Sequence, residues 1–266
     1  MNIFKKNNIK NYIKYNKKIN NWDKTLPFPH LVIDNFFKIK VAKELEKEFP
    51  KYYKDIWGTY KNKIEVKKVC NNWNLFPKRT YEVFTFLNSN KFISNIGKLL
   101  LNSTNLYADQ GLNGGGWHIH SRSGKLNTHL DYSMHPKLKL QRCLNLIIYL
   151  NSNWKKSWGG DLGLWDNKSE KKPGNLIKQV FPKFNRAIIF DTTKNSWHGL
   201  PDPIKCPKNE FRKSIAVYYL RKPKKKIDKR GKALFHPSKE QEGDLEIRNL
   251  IKRRSDVKFA YKVYGD

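Results

Sequence analysis

The first half of the chain carries the apolar spacing of helices. Apolar residues recur every three or four positions over residues 41–49, 81–87 and 92–101. This period places the apolar side chains on one face of a helix, and Pro50 ends the first of the three segments. Residues 29–37, which precede them, have the pattern of a short strand and a turn. We therefore predict a leading strand followed by amphipathic helices that pack against another layer.

From Leu106 onward the pattern changes to short strands. Apolar runs such as residues 142–150 and 187–190 are separated by Gly, Asn, Asp and Pro. Such spacing is typical of a β-sandwich or jelly roll. Helical spacing returns over residues 245–251. The expected fold is therefore α+β with a mainly β core, in which N-terminal helices pack outside a jelly roll and a C-terminal helix follows it.

Length and composition fit one enzyme-sized domain. At 266 residues, with 38% hydrophobic and 14% aromatic content, the chain can bury a sizeable core. We expect a single domain over residues 26–266, preceded by a basic, loosely ordered arm over residues 1–25. The three cysteines are widely separated and lack metal-type spacing, so nothing requires an oxidising compartment. No apolar stretch has the length of about 18 residues that a bilayer span needs, so we expect a soluble, cytoplasmic protein without membrane contact.

The net charge raises the question of a polyanionic partner. Fifty-four Lys and Arg residues against 23 Asp and Glu residues give +31, with basic clusters over residues 5–24 and 221–226. A field of this size attracts polyanions. Lys, Asn and Ile are all abundant, however, as expected of an A/T-rich genome, which explains part of the excess without a partner. Polyanion contact stays open but is not favoured, and the charge selects no substrate.

Two histidines and one aspartate form the main candidate for a metal site. Side chains two positions apart leave the same face of a strand, so His129 and Asp131 can direct one nitrogen and one oxygen at a single point. His198 follows the apolar run over residues 187–190 and can supply a third ligand. Two histidines and a carboxylate around a metal with open positions are typical of non-haem Fe(II) oxygenases. Because a His-x-Asp pair is weak evidence by itself, the surrounding sequence must support the assignment.

Further polar residues lie on two strands near these candidate ligands. Arg212 and Ser214 share one face of a strand, and an arginine is suited to a two-point grip on a carboxylate. On an earlier strand, Asn145 and Tyr149 share a face and offer an amide and a phenol beside the metal. Lys213 points to the opposite face and should be solvated. It is the fallback carboxylate partner if the strand register slips by one residue.

In their order along the chain, these motifs resemble the 2-oxoglutarate/Fe(II) dioxygenases of the prolyl-4-hydroxylase-like branch, which includes the hypoxia-sensing prolyl hydroxylases. The resemblance covers roughly residues 107–221, the expected catalytic core. The loops from Asp131 to Arg142 and from His198 to Arg212 are longer than in the hypoxia-sensing enzymes, which bears on the substrate more than on the chemistry. The matching landmarks are His129-x-Asp131, Arg142-Cys143, Tyr149-Leu150-Asn151, Gly159-Gly160-Asp161-Leu162, residues 185–191, His198 and Arg212.

The resemblance implies a double-stranded β-helix with a set of site residues. The implied metal ligands are His129, Asp131 and His198. The cosubstrate-binding residues that we expect are Arg212, which would pair with the distal carboxylate of 2-oxoglutarate, Tyr149, which would hydrogen-bond the same group, Asn145 and Ser214. The implied cofactors are Fe(II), 2-oxoglutarate and, as an optional accessory, ascorbate.

The implied reaction is hydroxylation of an unactivated C–H bond, with succinate and CO2 as co-products. A prolyl or other protein side chain is modestly favoured as substrate over a small molecule, a sugar or nucleic acid, since fold analogy does not identify a substrate. The rival from another class is a basic jelly roll that binds polyanions without catalysis. A site that no longer catalyses a reaction does not need to retain its ligands. Here His129, Asp131, His198 and Arg212 are all present.

Several of these residues also have purely structural interpretations. His118 and His120 lie on one strand face, but no carboxylate accompanies them, so lining a pocket or packing is favoured over metal binding. Tyr149, taken alone, is more often a core aromatic residue, and Asn145 can satisfy a neighbouring backbone group. The glycines at 114–116 lack the Lys-Ser/Thr pair of a phosphate loop and are interpreted as a bend before a strand.

Overall fold

The structure is a computed structural model that describes residues 22–169, 171–224, 230–256 and 258. Residues 1–21 of the expected basic arm lie outside the described residues. Of the remainder, Trp22–Lys24 form a 3-10 turn, and the Trp22 side chain is buried in the main core. Among the described residues, no helix combines the length and the apolar content that crossing a bilayer requires.

The described helices include the segments that the sequence predicts. Those of the first half begin two or three residues earlier than the apolar period indicates, because their opening residues are exposed or polar: Ile39 is apolar but exposed, and Thr80 is buried but polar. Pro50 follows the first of them, as expected. The helices are α1 (Ile39–Glu48), α2 (Lys78–Leu87), α3 (Asn90–Leu101) and α4 (Leu245–Ser255).

The strands form two mainly antiparallel sheets. The larger sheet has the order β1-β11-β8-β13-β5-β3-β2, with β4 beside β13 and β6 beside β3, and the smaller has the order β10-β9-β12-β7-β14. The strands are β1 (His30–Ile33), β2 (Gly58–Lys61), β3 (Glu65–Cys70), β4 (Tyr107–Ala108), β5 (Gly116–His120), β6 (Lys125–Leu126), β7 (His129–Leu130), β8 (Gln141–Tyr149), β9 (Leu162–Ser169), β10 (Lys172–Val180), β11 (Ala187–Asp191), β12 (His198–Gly199), β13 (Arg212–Arg221) and β14 (Leu234–Phe235).

This architecture confirms the predicted α+β jelly roll with a mainly β core. The apolar faces of α1, α2 and α3 pack in one core with the outer face of the larger sheet. Successive side chains along β13 point to opposite faces of the sheet. Ile215 and Val217 pack in that core, whereas Arg212 and Ser214 line a cavity between the two sheets. Arg212 and Ser214 therefore share one face of β13, as the sequence predicts.

Lys213 departs from its prediction. It points away from the cavity, as expected, but it is half-buried, with Nζ 5.9 Å from the centre of the Phe49 ring. The side chain is therefore only partly solvated, because Phe49, which follows α1, covers this part of the sheet.

The predicted glycine bend before β5 is present and has a steric reason. Gly116 has φ +87°, and a Cβ at this position would lie 2.2 Å from the carbonyl oxygen of Cys70. Only glycine permits such a conformation and such a close approach of β5 to β3. The bend thereby sets the position of His118 and His120, which follow it on β5.

Candidate metal centre

The three predicted metal ligands come together in the smaller sheet. His129 on β7 and His198 on β12 are register partners, and Asp131 follows β7 directly. His129 Nε2 lies 3.8 Å from Asp131 Oδ1, and His198 Nε2 lies 3.8 Å from Asp131 Oδ2. One donor atom from each residue fits within 4.8 Å of the others, and among the described residues no other group of three His, Cys, Asp or Glu side chains is as close.

Backbone hydrogen bonds orient both imidazole rings for metal binding. His129 Nδ1 lies 2.9 Å from the Asn127 carbonyl oxygen, and His198 Nδ1 lies 2.8 Å from the Ser196 carbonyl oxygen. Because a carbonyl only accepts, each Nδ1 must carry the proton, which leaves the Nε2 lone pair free to bind a metal. Burial lowers the pKa of His129 well below its usual value, assisted by repulsion from His198, so its ring is neutral. Metal-binding histidines have this tautomer and this kind of backbone partner.

Asp131 is held ionised by its neighbours. Burial alone would raise its pKa, but the charge of Arg142 and a hydrogen bond from Tyr218 lower the pKa. The Tyr218 hydroxyl donates to Asp131 Oδ1 at 3.1 Å, and the Asn145 amide donates to Oδ2 at 3.2 Å. The Arg230 guanidinium also donates to the Asp131 backbone carbonyl at 2.9 Å. A fixed carboxylate with one donor on each oxygen is preorganised as a ligand.

Asn145 therefore lies at the metal centre, as predicted, but its amide nitrogen is directed at Asp131. Its Oδ1 is buried and has no hydrogen-bond partner among the described residues. The predicted role of Asn145 in binding the cosubstrate consequently depends on that oxygen. Tyr218, which shares the inward face of β13, is a further site residue, and its sequence position alone did not indicate a role at Asp131.

Arg212 is a buried cation at the cavity wall. It is 4% exposed, its Nε donates to the Gly160 carbonyl oxygen at 2.6 Å, and its guanidinium carbon lies 4.9 Å from the centre of the Tyr149 ring. Burial lowers the pKa of Arg212, and Tyr149 and Asp161 partly offset this effect. No described residue forms an ion pair with Arg212 within 4.0 Å. This cation is therefore available to an anionic ligand.

The Tyr149 side chain is both a core aromatic residue and a possible ligand donor, the two roles that the sequence allows. The ring packs in a small core with Phe28, Leu162 and Phe190, yet its buried hydroxyl has no hydrogen-bond partner among the described residues. Burial raises the pKa of this phenol, so the hydroxyl keeps its proton and can donate it to a ligand. A pure core role would leave this polar atom unsatisfied at a cost in stability.

The cavity between the sheets has a volume of about 380 Å³, within the usual size of a small-ligand site. Ser214, His118 and His120 line it beside Arg212, and neither histidine belongs to the close donor group. Burial lowers the pKa of His118 to about 3 and that of His120 well below its usual value, so both rings are neutral. Both nitrogens of His120 lack hydrogen-bond partners among the described residues.

A jelly roll with two histidines and one carboxylate converging on an internal cavity defines the class of non-haem Fe(II) oxygenases. Comparison with known proteins points to the same class. Residues 115–221 match the 2OG-Fe(II) oxygenase superfamily. This match covers less than half of the chain and includes all three candidate ligands, so the segment resembles 2-oxoglutarate/Fe(II) oxygenases, and the cofactors that this resemblance implies are Fe(II) and 2-oxoglutarate. The donor chemistry and the imidazole tautomers fit the metal.

Individual relatives are distant. A segment of 61 residues is 30% identical to the prolyl 3-hydroxylase OGFOD1 of Mus musculus, which is 23% of this chain but only 11% of that protein. Two solved structures share the fold. A prolyl hydroxylase of Trichoplax adhaerens, in complex with a hypoxia inducible factor peptide fragment, has a TM-score of 0.58 and 19% identity over 82% of this chain and 94% of its own. A prolyl-4-hydroxylase of Pseudomonas putida has a TM-score of 0.53 and 12% identity over 77% and 99%.

Proposed function

We propose that His129, Asp131 and His198 are the protein ligands of Fe(II), and that the chain is a 2-oxoglutarate-dependent dioxygenase that hydroxylates an unactivated C–H bond. The observation that carries this proposal is the pair of Nδ1-to-carbonyl hydrogen bonds, which leaves both Nε2 atoms facing an ionised Asp131. With both cofactors bound, the centre would couple oxidation of a C–H bond by O2 to the conversion of 2-oxoglutarate into succinate and CO2. Ascorbate stays a prediction as an accessory.

The cavity residues bind and orient the cosubstrate. Arg212 pairs with the distal carboxylate of 2-oxoglutarate, since a buried guanidinium without a counter-ion gains most from a carboxylate partner. The Tyr149 hydroxyl donates to the same carboxylate, and Ser214 lies on the same strand face as Arg212. The neutral rings of His118 and His120 add no charge that would compete with Arg212. Buried side chains around these groups exclude water, which strengthens each polar contact.

For the substrate, we propose a prolyl or other protein side chain. The support is the similarity of a short segment to a prolyl 3-hydroxylase and of the fold to two prolyl hydroxylases, one of them bound to a peptide. Small molecules, sugars and nucleic acids remain alternatives with the same chemistry. The cytoplasmic location also stays a prediction.

The test is an anaerobic titration of the Fe(II)-loaded protein with 2-oxoglutarate, which is followed by its weak visible charge-transfer band. His129→Ala, Asp131→Ala and His198→Ala should each remove the band and uncoupled succinate formation, because two remaining ligands hold a ferrous ion poorly. His236→Ala is the matched control, as this histidine is half-buried outside the donor group. Wild-type intensity in any of the three ligand variants would contradict the proposal.

A further inference from the structure

A second buried arginine lines the cavity, away from Arg212. Arg142 is 2% exposed, and its guanidinium carbon lies 3.3 Å and 3.5 Å from the ring centres of Tyr132 and Tyr218. Tyr218 and Arg212 are six positions apart on β13, which is about 20 Å at roughly 3.3 Å per residue. Because Tyr218 also donates to Asp131, Arg142 lies at the Asp131 end of the cavity.

Arg142 has no anionic partner among the described residues. Its Nη2 donates to the carbonyl oxygen of Asn113 and to the hydroxyl of Tyr132, whereas its buried Nε has no hydrogen-bond partner. No described carboxylate lies within 4.0 Å of the guanidinium, although Asp131 and Asp109 attract it from further away. A buried cation is costly unless it is paired and fully hydrogen-bonded. This guanidinium is therefore suited to receive an anionic group.

The backbone beside Arg142 leaves space for the guanidinium. Gly114 has φ +74°, and a Cβ at this position would lie 2.8 Å from Arg142 Nη2. Any side chain at position 114 would therefore displace the guanidinium from its place beside the Asn113 carbonyl. The turn and the two tyrosine rings together hold the charged group in one orientation, as a binding site for a planar anion requires.

The rest of the cavity wall also favours an anionic ligand. Of the lining carboxylates, Glu65 is already paired with Lys67 at 3.4 Å and with Arg254 at 3.0 Å, and Asp131 is the proposed metal ligand. Lys232 lines the cavity and forms no ion pair with a described residue. With Arg212 committed to 2-oxoglutarate, Arg142 and Lys232 are the lining cations that form no ion pair with a described residue. A neutral substrate would leave Arg142 without a carboxylate in direct contact.

We propose that Arg142 binds a carboxylate that the substrate itself carries. The substrate is then either a free acid or a peptide with an acidic residue beside the oxidised position. This inference rests on the proposed function, since it presupposes that Arg212 takes the cosubstrate. The alternative role for Arg142 is only to support the charge of Asp131, which would affect metal binding and not the choice between acidic and neutral substrates.

The experiment measures the binding of four probes to the anaerobic Fe(II)·2-oxoglutarate protein through the shift that each causes in the charge-transfer band. The first pair is L-proline and L-prolinamide. The second is N-acetyl-prolyl-aspartate amide and N-acetyl-prolyl-asparagine amide. A charge-assisted pair contributes about 1.5–3 kcal/mol, so the acid of at least one pair should bind roughly 10- to 100-fold more tightly than its amide. The pair that shows this preference identifies a free acid or an acidic peptide as the source of the carboxylate.

Arg142→Gln should reduce the preference within the pair to about twofold or less, and Arg142→Lys should retain part of it because the charge remains. Arg248→Gln, an exposed position on α4, is the control and should keep the full preference. The 2-oxoglutarate Kd and the melting temperature are measured for each variant. Absence of an acid preference in the wild type, its persistence in Arg142→Gln, or an equal loss for acid and amide would each overturn the inference. Absence of the charge-transfer band in the wild type would instead refute the proposed function.

Discussion

The imidazole ring of His129 stacks on the phenyl ring of Phe235, with ring centres 4.9 Å apart and planes inclined by 21°. The two residues are register partners of β7 and β14. Arg254 of α4 lies on Phe235, with its guanidinium carbon 5.4 Å from the ring centre. The segment after residue 221, outside the matched family region, therefore forms one wall of the metal centre.

We expect Phe235→Leu to weaken metal binding. The leucine retains an apolar side chain but loses the stacked ring that fixes His129, and an aromatic pair contributes about 0.5–1.5 kcal/mol, or roughly 2- to 10-fold in affinity. The measurement is a competition titration of Fe(II) or Co(II) against a chelator. Leu245→Ala, which is 70% exposed in the same C-terminal segment, is the control. An unchanged metal Kd in a folded Phe235→Leu protein would show that the stacking does not position His129.

The position of the metal ligands could be predicted from the sequence because it depends on short-range geometry. His129 and Asp131 are two residues apart at the end of a strand, and His198 follows an apolar strand, so a jelly roll brings all three to one place. The inward register of β13 was predictable for the same reason, since alternation is fixed within a strand. These inferences need the fold class but not the details of packing.

The surroundings of the ligands could not be predicted because they depend on long-range contacts. Tyr218 reaches Asp131 across 87 residues of sequence, and Phe235 reaches His129 through a strand of only two residues. Such a strand carries no periodic signal. Asn145 was placed correctly on the inward face, but whether its amide contacts a cosubstrate or a carboxylate is decided by the exact position of Asp131. The +31 charge remains without an assigned partner.

The two donors to Asp131 lead to a second prediction. Tyr218→Phe and Asn145→Ala each remove one hydrogen bond from the carboxylate, and loss of such an outer partner lowers metal affinity about 10- to 100-fold. The double variant should lose less than the product of the two effects, because both bonds orient the same group. Metal and 2-oxoglutarate affinities are measured separately. If Asn145→Ala weakens 2-oxoglutarate binding but leaves the metal Kd unchanged, Asn145 contacts the cosubstrate, as the sequence predicts. The proposed role of Asn145 in orienting Asp131 would then be wrong.

Arg212 and its neighbour provide a third prediction with an internal control. Arg212→Ala should raise the 2-oxoglutarate Kd about 10- to 100-fold, since a charge-assisted pair contributes about 1.5–3 kcal/mol. Iron affinity should change far less. Lys213→Ala should leave the 2-oxoglutarate Kd within about twofold, because Lys213 lies on the other face of β13 against Phe49. The reverse pattern in the charge-transfer titration would mean that the register of β13 is off by one.

His30 outside the site gives a prediction about pH. This residue is 3% exposed, its Nδ1 lies 2.8 Å from the Phe28 carbonyl oxygen, and Lys178 Nζ lies 2.8 Å from its Nε2. The Nδ1 proton is donated to the carbonyl and the Lys178 ammonium donates to Nε2, so the folded protein needs the neutral ring. Burial, with a contribution from Lys178, lowers the pKa of His30 from 6.5 to about 4.

Between pH 6.5 and 4 the unfolded chain therefore binds a proton at His30 that the folded protein does not. Its contribution to stability is complete above pH 6.5 and is lost as the pH falls toward 4, by about 3 kcal/mol at roughly 1.36 kcal/mol per pKa unit. The free energy of unfolding is measured by urea titration at pH values across this range. Its fall from pH 6.5 to 4 should be about 3 kcal/mol smaller in His30→Gln than in the wild type. Lys178→Met removes the ammonium and its hydrogen bond to Nε2, both of which favour the neutral ring, and should give an intermediate slope. Parallel profiles for the wild type and His30→Gln would mean that His30 does not control this acid-sensitive window.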